Sequence, residues 1–350
     1  MSRASPRAKI LALILAASPL AAQGAFVSPA GLATLEGNAY HWALFSQPKA
    51  RFQQVDRSTR AATPRALKAI GFRRDGDQPG GAARTLTLGL WIGAGDWRAF
   101  TNTFAQNWKQ PASVAIATKA FNLPDWSQKP PAPPAAFDLL LGFDQPCTHA
   151  GADDLLWELA VTQSSLPGYA LYPVDRAYTQ WTYGQALPVG DGCITPNGRF
   201  RLTGDPRATL DTFELGFAAT GAPATAAPTL ILGSTPLGLP VPGLCASLQT
   251  IALGLVPLPA SDANGRVAPV FLRVRLDSAL LGVYFVTQAV APDPTQSVYP
   301  FALSNGLILR TPLQPGGPLV EASYTYDTTS PTAPVGSGPH AGAVVVRFEY

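Results

Sequence analysis

This chain is short of charge. Aspartate, glutamate, lysine and arginine make up 13% of its 350 residues, against roughly 25% in ordinary soluble domains. The formal net charge is +3, from 25 basic and 22 acidic residues, and Arg3, Arg7 and Lys9 account for all of it, since 3 − 3 = 0. The rest of the chain is therefore balanced. That leaves no basic surplus to attract a nucleic acid or an anionic membrane, and no nucleic-acid partner is expected.

Histidine is scarcer still, at three residues: His41, His149 and His340. A nucleophile triad needs a histidine beside an activated serine or cysteine, and the G-x-S-x-G elbow is absent. His340 lies in a Pro/Gly/Ser stretch and is expected to be solvated. His41, between Tyr40 and Trp42, is expected to be a surface or partly packed ring. No catalytic residue and no cofactor is assigned. Long apolar runs are missing too. Ile10–Ala17 is too short to span a bilayer, which takes about 20 residues, and Pro19 ends it. With the basic segment before it and the small residues Ala21-Ala22-Gln23-Gly24-Ala25 after it, the order is that of a secretory signal peptide over 1–25. Cleavage fits after Ala22, Gly24 or Ala25. The expected location is secreted or cell-surface, with no transmembrane segment in the mature chain.

What the chain does have is 35 prolines, 32 glycines and 47% hydrophobic residues. That much apolar content argues against wholesale disorder, and helical periodicity is rare. Short strands joined by Gly/Pro turns fit the mixture. In "RTLTLGLWIG", Leu86, Leu88, Leu90 and Ile92 alternate with Thr85, Thr87, Gly89 and Trp91, the period of a strand. "SVAIATKAF" reads similarly. "AFDLLLGF" and "DLLWELAV" read as strands buried on both faces, and "ALKAIGFRR" as a strand, or a short helix, running into a turn at Asp75-Gly76. The proline-rich 128–137 cannot supply ladder donors and reads as a loop. After a turn cluster near 187–191 a second series follows: "GRFRLTG", "TFELGFAAT", "PTLILGST", "CASLQTIALGL", "APVFLRVRL", "GVYFVTQAV" and "LSNGLILRT". The expected fold is all-β, with two antiparallel β-sandwich domains of jelly-roll or Ig-like type in tandem, over 26–188 and 189–312. A loop and a terminal strand follow over 313–350. Val344, Val346, Phe348 and Tyr350 alternate as in the last strand of an outer-membrane barrel, but the proline density opposes a barrel.

Three cysteines remain after the leader. An oxidising compartment favours a disulfide. Cys193 and Cys245 both sit beside turns in the second half, "GDGC" and "PGLC", and form the favoured pair. Cys147–Cys193 is the rival, and would lock the two halves together.

Several groups offer ligand chemistry. Cys147, His149, Asp153 and Asp154 are donors of types zinc accepts, yet a loop entering the strand "LLWELAV" explains them equally. Asp75 and Asp77 are too few oxygens for calcium, which takes six to eight, and suit a hairpin turn. No metal is assigned. All seven tryptophans, Trp42, Trp91, Trp97, Trp108, Trp126, Trp157 and Trp181, precede the second strand series. Exposed indoles can stack on sugar rings. Trp91 lies opposite the leucine face, and Trp97 and Trp126 lie in apparent loops, so a glycan-binding surface on the first half is a candidate.

The segments "PAGLATLEGNAYHWALF", "ARFQQVD", "IGFRRDG", "TFAQNW", "DDLLWEL", "GDGCITPNG", "PTLILGST", "PGLC", "QAVAPDPTQSVYPFALSNGL" and "VVVRFEY", in this order, carry a resemblance. The chain resembles a family of exported, uncharacterised two-domain β-sandwich proteins found as many paralogues in some environmental bacteria. The family usually reads Pro-Phe where this chain has Leu44-Phe45, and 311–340 matches less well. The resemblance implies export, two sandwiches, and pairing of the two glycine-flanked cysteines, Cys193 and Cys245. It implies no chemistry. The functional expectation is a non-enzymatic structural, adhesive or ligand-binding protein, with an extracellular glycan or cell-surface component as partner. The alternative is a secreted hydrolase of polysaccharide or ester.

Overall fold

The structure, a computed structural model, describes residues 24–130 and 132–350. The expected leader lies outside the described residues except for its last two positions. Ala25, the last of them, already opens a strand, Ala25–Ser28, so cleavage after Ala22 would leave that strand whole.

The fold is all-β, and every strand pairing among the described residues is antiparallel. A six-stranded sheet runs Ser337–Ala341, Ala322–Asp327, Ala50–Asp56, Asp154–Ser164, Arg84–Gly95, Ser113–Leu123. A four-stranded sheet runs Ala25–Ser28, Val346–Glu349, Arg65–Phe72, Leu139–His149. Strand alternation explains how these meet, because every second side chain points to one face. Leu86, Leu88, Leu90 and Ile92 share one buried cluster with Ile70, Phe72, Leu141 and Phe348. A three-stranded sheet, Ala39–His41, Val174–Ala177 and Ala343–Val344, lies alongside.

A second core is built from 193–309. A four-stranded sheet (Thr182–Tyr183, Arg201–Ala208, Thr212–Thr220, Val267–Arg275) and a five-stranded sheet (Gln185–Val189, Phe301–Arg310, Tyr284–Pro292, Thr229–Gly233, Gly254–Pro257) supply it. Phe200, Leu202, Phe213, Phe217, Leu230, Leu307 and Leu309 fill it. Cys193 and Cys245, 52 residues apart, form a disulfide with Cα atoms 5.2 Å apart. Cys147 is free and buried, which overturns the rival Cys147–Cys193 bridge.

Four expectations change. The tail 313–350, expected as a loop and one strand, supplies four strands. Ala322–Asp327 pairs with Ala50–Asp56, and Val346–Glu349 lies between Ala25–Ser28 and Arg65–Phe72. The second strand series is thus inserted into the first rather than following it in tandem. The outgoing and returning chains run together, with Gly317 N–H bonded to Gln180 O and Val320 N–H to Thr179 Oγ1. Secondly, Asp75 does not close a hairpin. Its flanking strands Arg65–Phe72 and Arg84–Gly95 belong to different sheets, and its Oδ1 accepts the N–H groups of Asp77 and Gln78 inside a crossover loop. Thirdly, Leu139–His149 is buried on one face only: Leu139 and Leu141 enter the first core, and alternation sends Leu140, 49% exposed, to the other face of the sheet. Lastly, "CASLQTIALGL" forms a strand only from Gly254. Upstream, the Gln249 N–H bonds to the Gln288 side chain and Leu248 to Leu239, so its backbone is satisfied without a sheet ladder. No helix among the described residues is long and apolar enough to cross a membrane.

Candidate functional site

The outer face of the six-stranded sheet carries the most developed site. Along Arg84–Gly95 the outward positions include Gly89, Trp91 and Gly93. A Cβ on Gly89 would come within 3.0 Å of the Trp91 ring, and one on Gly93 within 2.9 Å of the Trp108 ring. The two glycines thus make room for the indoles beside the strand. Trp108 follows the 3₁₀ turn Phe104–Asn107. The loop is fastened by Asn107, whose side-chain amide donates to Gln53 Oε1 and to Thr101 O.

Directly opposite Trp91 on the next strand is Glu158, and Gln53 is its partner on the strand beyond. Glu158 is nearly buried. Arg51 donates to its Oε1 through Nε at 2.8 Å and Nη2 at 2.8 Å, and Gln53 Nε2 donates to its Oε2 at 2.9 Å. Burial pushes the Glu158 carboxyl above its ordinary value, and the Arg51 hydrogen bond and charge only partly offset that. Arg51 also lies over the Phe104 ring and donates to Ala333 O. The result is a cleft of about 310 Å³ walled by Trp91, Trp108, Ala112, Pro331 and Thr332, with the Arg51–Glu158 pair at its base. A neighbouring depression of about 440 Å³ shares Arg51, Trp108 and Ala112.

This arrangement presents half-buried indole faces beside polar groups whose bonds are already made. It can stack on the C–H face of a ring and offer hydroxyl and carbonyl oxygens at the rim. Acid–base hydrolysis of a glycoside needs two carboxyl groups across the bond, and Glu158 is the one carboxylate lining this cleft.

The other tryptophans divide. Trp126, expected in an exposed loop, is 1% exposed, stacked on Tyr172, with its N–H on Asp138. Trp157 is buried in the first core, and Trp97 packs against Val55, Phe100 and Leu156. Trp42 is exposed beside Tyr169 and Tyr326, and Trp181 lies under the Arg207 guanidinium.

The zinc-type donors are not brought together. Cys147 lies in the core, His149 bonds to Thr59 O, Asp153 pairs with Lys109, and Asp154 with Arg60. His41 is buried against Phe52, Tyr324 and Tyr326, and burial holds its pKa down to about 3. His340, expected in solvent, stacks on Tyr324 and Tyr326. Its Nε2 is 3.2 Å from Ser337 Oγ, and among the described residues no carboxylate bonds its ring, so no triad forms.

Two groupings escaped the sequence. The signal for Glu158 was its position in the apolar run "DLLWELAV", where a charge implies a buried partner. The second grouping is Glu36, Asp75 and Asp175, whose carboxylate oxygens lie within 4.8 Å of one another. Arg73, fully buried, bonds Asp175 through Nε at 2.7 Å and reaches Leu35 O, while Gly37 N–H donates to Asp175. Arg73 pairs with Asp175 alone, Glu36 accepts the Gly76 N–H and Asp75 the N–H groups of Asp77 and Gln78, so the cluster clasps segment 35–37 to the first core. Comparison of the chain with protein-family models, curated proteins and solved structures returned no match.

Proposed function

We propose that this is an exported, non-enzymatic protein that binds an extracellular glycan or cell-surface component through the Trp91–Trp108 cleft. One observation carries the reading: two half-buried indoles, given room by Gly89 and Gly93, flank a cleft on a sheet face. Aromatic faces favour the apolar face of a sugar ring. The basic, apolar and small-residue order of the first 25 residues, and the resemblance to an exported family, support secretion.

The rival reading, a secreted hydrolase, has one observation in its favour. Glu158 has a carboxyl held above its ordinary value by burial, as a general acid requires. Against it, three donors already occupy that carboxylate, and the cleft offers it no carboxylate partner.

The test is a titration of the purified mature protein with a panel of bacterial and algal polysaccharides, following tryptophan fluorescence and released sugar. Saturable quenching without product is expected. Trp91→Ala and Trp108→Ala should each weaken binding about 2- to 12-fold, from about 0.5–1.5 kcal/mol for one stacked ring. Sugar release abolished by Glu158→Gln would establish the hydrolase instead. Quenching that both tryptophan variants retain in full would remove this cleft as the site.

A further inference from the structure

The stretch "LPVGDGCITPNGRFR" builds a second cleft, on the other core. Cys193 is held on three sides: its N–H donates to Leu303 O, its carbonyl accepts from Phe200 N–H, and its sulfur is bonded to Cys245. The preceding turn, Gly190-Asp191-Gly192, is thereby fixed at the edge of the five-stranded sheet. The chain returns through Arg199, Phe200 and Arg201. Phe200 points into the core with no exposure, so Arg199 and Arg201, one residue to either side, share the opposite face.

Both arginines line a cleft of about 410 Å³ whose floor includes Pro188, Leu202 and Asn305. That volume lies within the range of small-molecule sites, about 300–1,000 Å³. Asn305 is 6% exposed and locks the floor by bonding both the N–H and the carbonyl of Leu202. The charges do not balance. Arg199 has one loose partner, Asp191 at 3.5 Å, whose side chain is 83% exposed, and it also donates to Gly192 O. Arg201 has no hydrogen-bond or ion-pair partner among the described residues. Two planar guanidinium forks facing one concave, partly apolar site suit a carboxylate, which accepts two parallel N–H bonds from such a fork.

We propose that this cleft binds a small carboxylate, with Arg201 as its principal anchor and Arg199 as the second. The carboxylate can come from a uronic acid or from a simple organic acid, since the recognition chemistry is the same. This site is independent of the tryptophan cleft, which lies on the other core.

The test is calorimetric titration of the mature protein with galacturonate, acetate and galactose at low and high salt. Galacturonate is expected to bind more tightly than galactose, and more weakly as salt rises. Acetate binding as well as galacturonate would assign the simple acid as the source, and galacturonate alone the sugar acid. Arg201→Gln should weaken binding at least tenfold with an unchanged melting temperature, because the side chain is exposed and unpaired. Asp191→Asn should bind at least as tightly as the parent. Titration of Trp108→Ala tells the two sites apart: galacturonate binding that this variant loses belongs to the tryptophan cleft and overturns the assignment, whereas binding that it keeps and Arg201→Gln loses belongs here. Equal binding of galactose and galacturonate, no measurable binding of either acid, or full binding by Arg201→Gln would each overturn the proposal.

Discussion

Replacing both Cys193 and Cys245 by alanine removes the one covalent link in the second core. The cysteines are 52 residues apart. Chain entropy for a closed loop of that length amounts to about 14 cal/mol/K, or about 4 kcal/mol at 25 °C. A smaller contribution adds to it. Cys193 Sγ accepts the Leu303 N–H at 3.1 Å in a buried site, and truncation leaves that donor unmade, at about 1 kcal/mol or more. The expected loss is therefore about 4–5 kcal/mol, a large fraction of the 5–15 kcal/mol typical of a folded domain. It should fall on the second core, because both cysteines and the loop between them lie there. The assay is guanidinium unfolding of parent and double variant, combined with hydrogen exchange read by mass spectrometry. Protection should drop in Thr212–Thr220 and Phe301–Arg310 and persist in Arg84–Gly95 and Asp154–Ser164. A loss under about 1 kcal/mol, or an equal loss of protection in both cores, would refute the loop-entropy reasoning.

Two further outcomes are expected. His41 is neutral when folded, with its pKa lowered from 6.5 to about 3 by burial. The unfolded chain takes up the proton first, so stability is lost as pH falls from about 6.5 towards 3. His41→Phe suits the aromatic surroundings and should lose less stability between pH 7 and pH 4.5 than the parent does; an equal drop in urea midpoint would remove His41 as a cause. Phe348→Ala empties a fully buried position in the last strand, where Phe26 stacks on its ring at 5.3 Å. It should cost about 3–5 kcal/mol and release Ala25–Ser28 from protection against exchange, whereas a solvated tail would show neither effect.

Much of the fold was legible because strand formation is a local matter. In Arg84–Gly95 the alternation of leucines with small and polar residues names both the strand and its buried face. Thr212–Thr220 could be read to the residue for the same reason. Turn chemistry around Cys193 and Cys245 pointed to their pairing. Other elements misled because their partners are remote. Asp75 looks like a hairpin corner until the strands on either side prove to join different sheets. "CASLQTIALGL" looks like a strand, but the distant Gln288 side chain takes the Gln249 N–H and the Ser247 carbonyl, and Leu248 pairs with Leu239 instead of a sheet strand.

The proposed binding sites were legible only in part. Trp91 stood out by its place opposite the leucine face. Its companions could not, because Glu158 and the Arg51–Gln53 strand are aligned with it only by sheet register, and Trp108 arrives on a loop. Arg199 and Arg201 were not singled out in the sequence, because the cleft they line needs Asn305 from a strand about a hundred residues later. By itself the sequence determined composition class, strand identity, core faces and the favoured cysteine pair, since these depend on the period of two and on local turns. The tertiary structure decided that the tail closes the first core, that the second series is inserted rather than appended, and which charges lie buried in pairs. Those outcomes depend on pairing between segments far apart in the chain, and a strand's own residues do not say which neighbour it will meet.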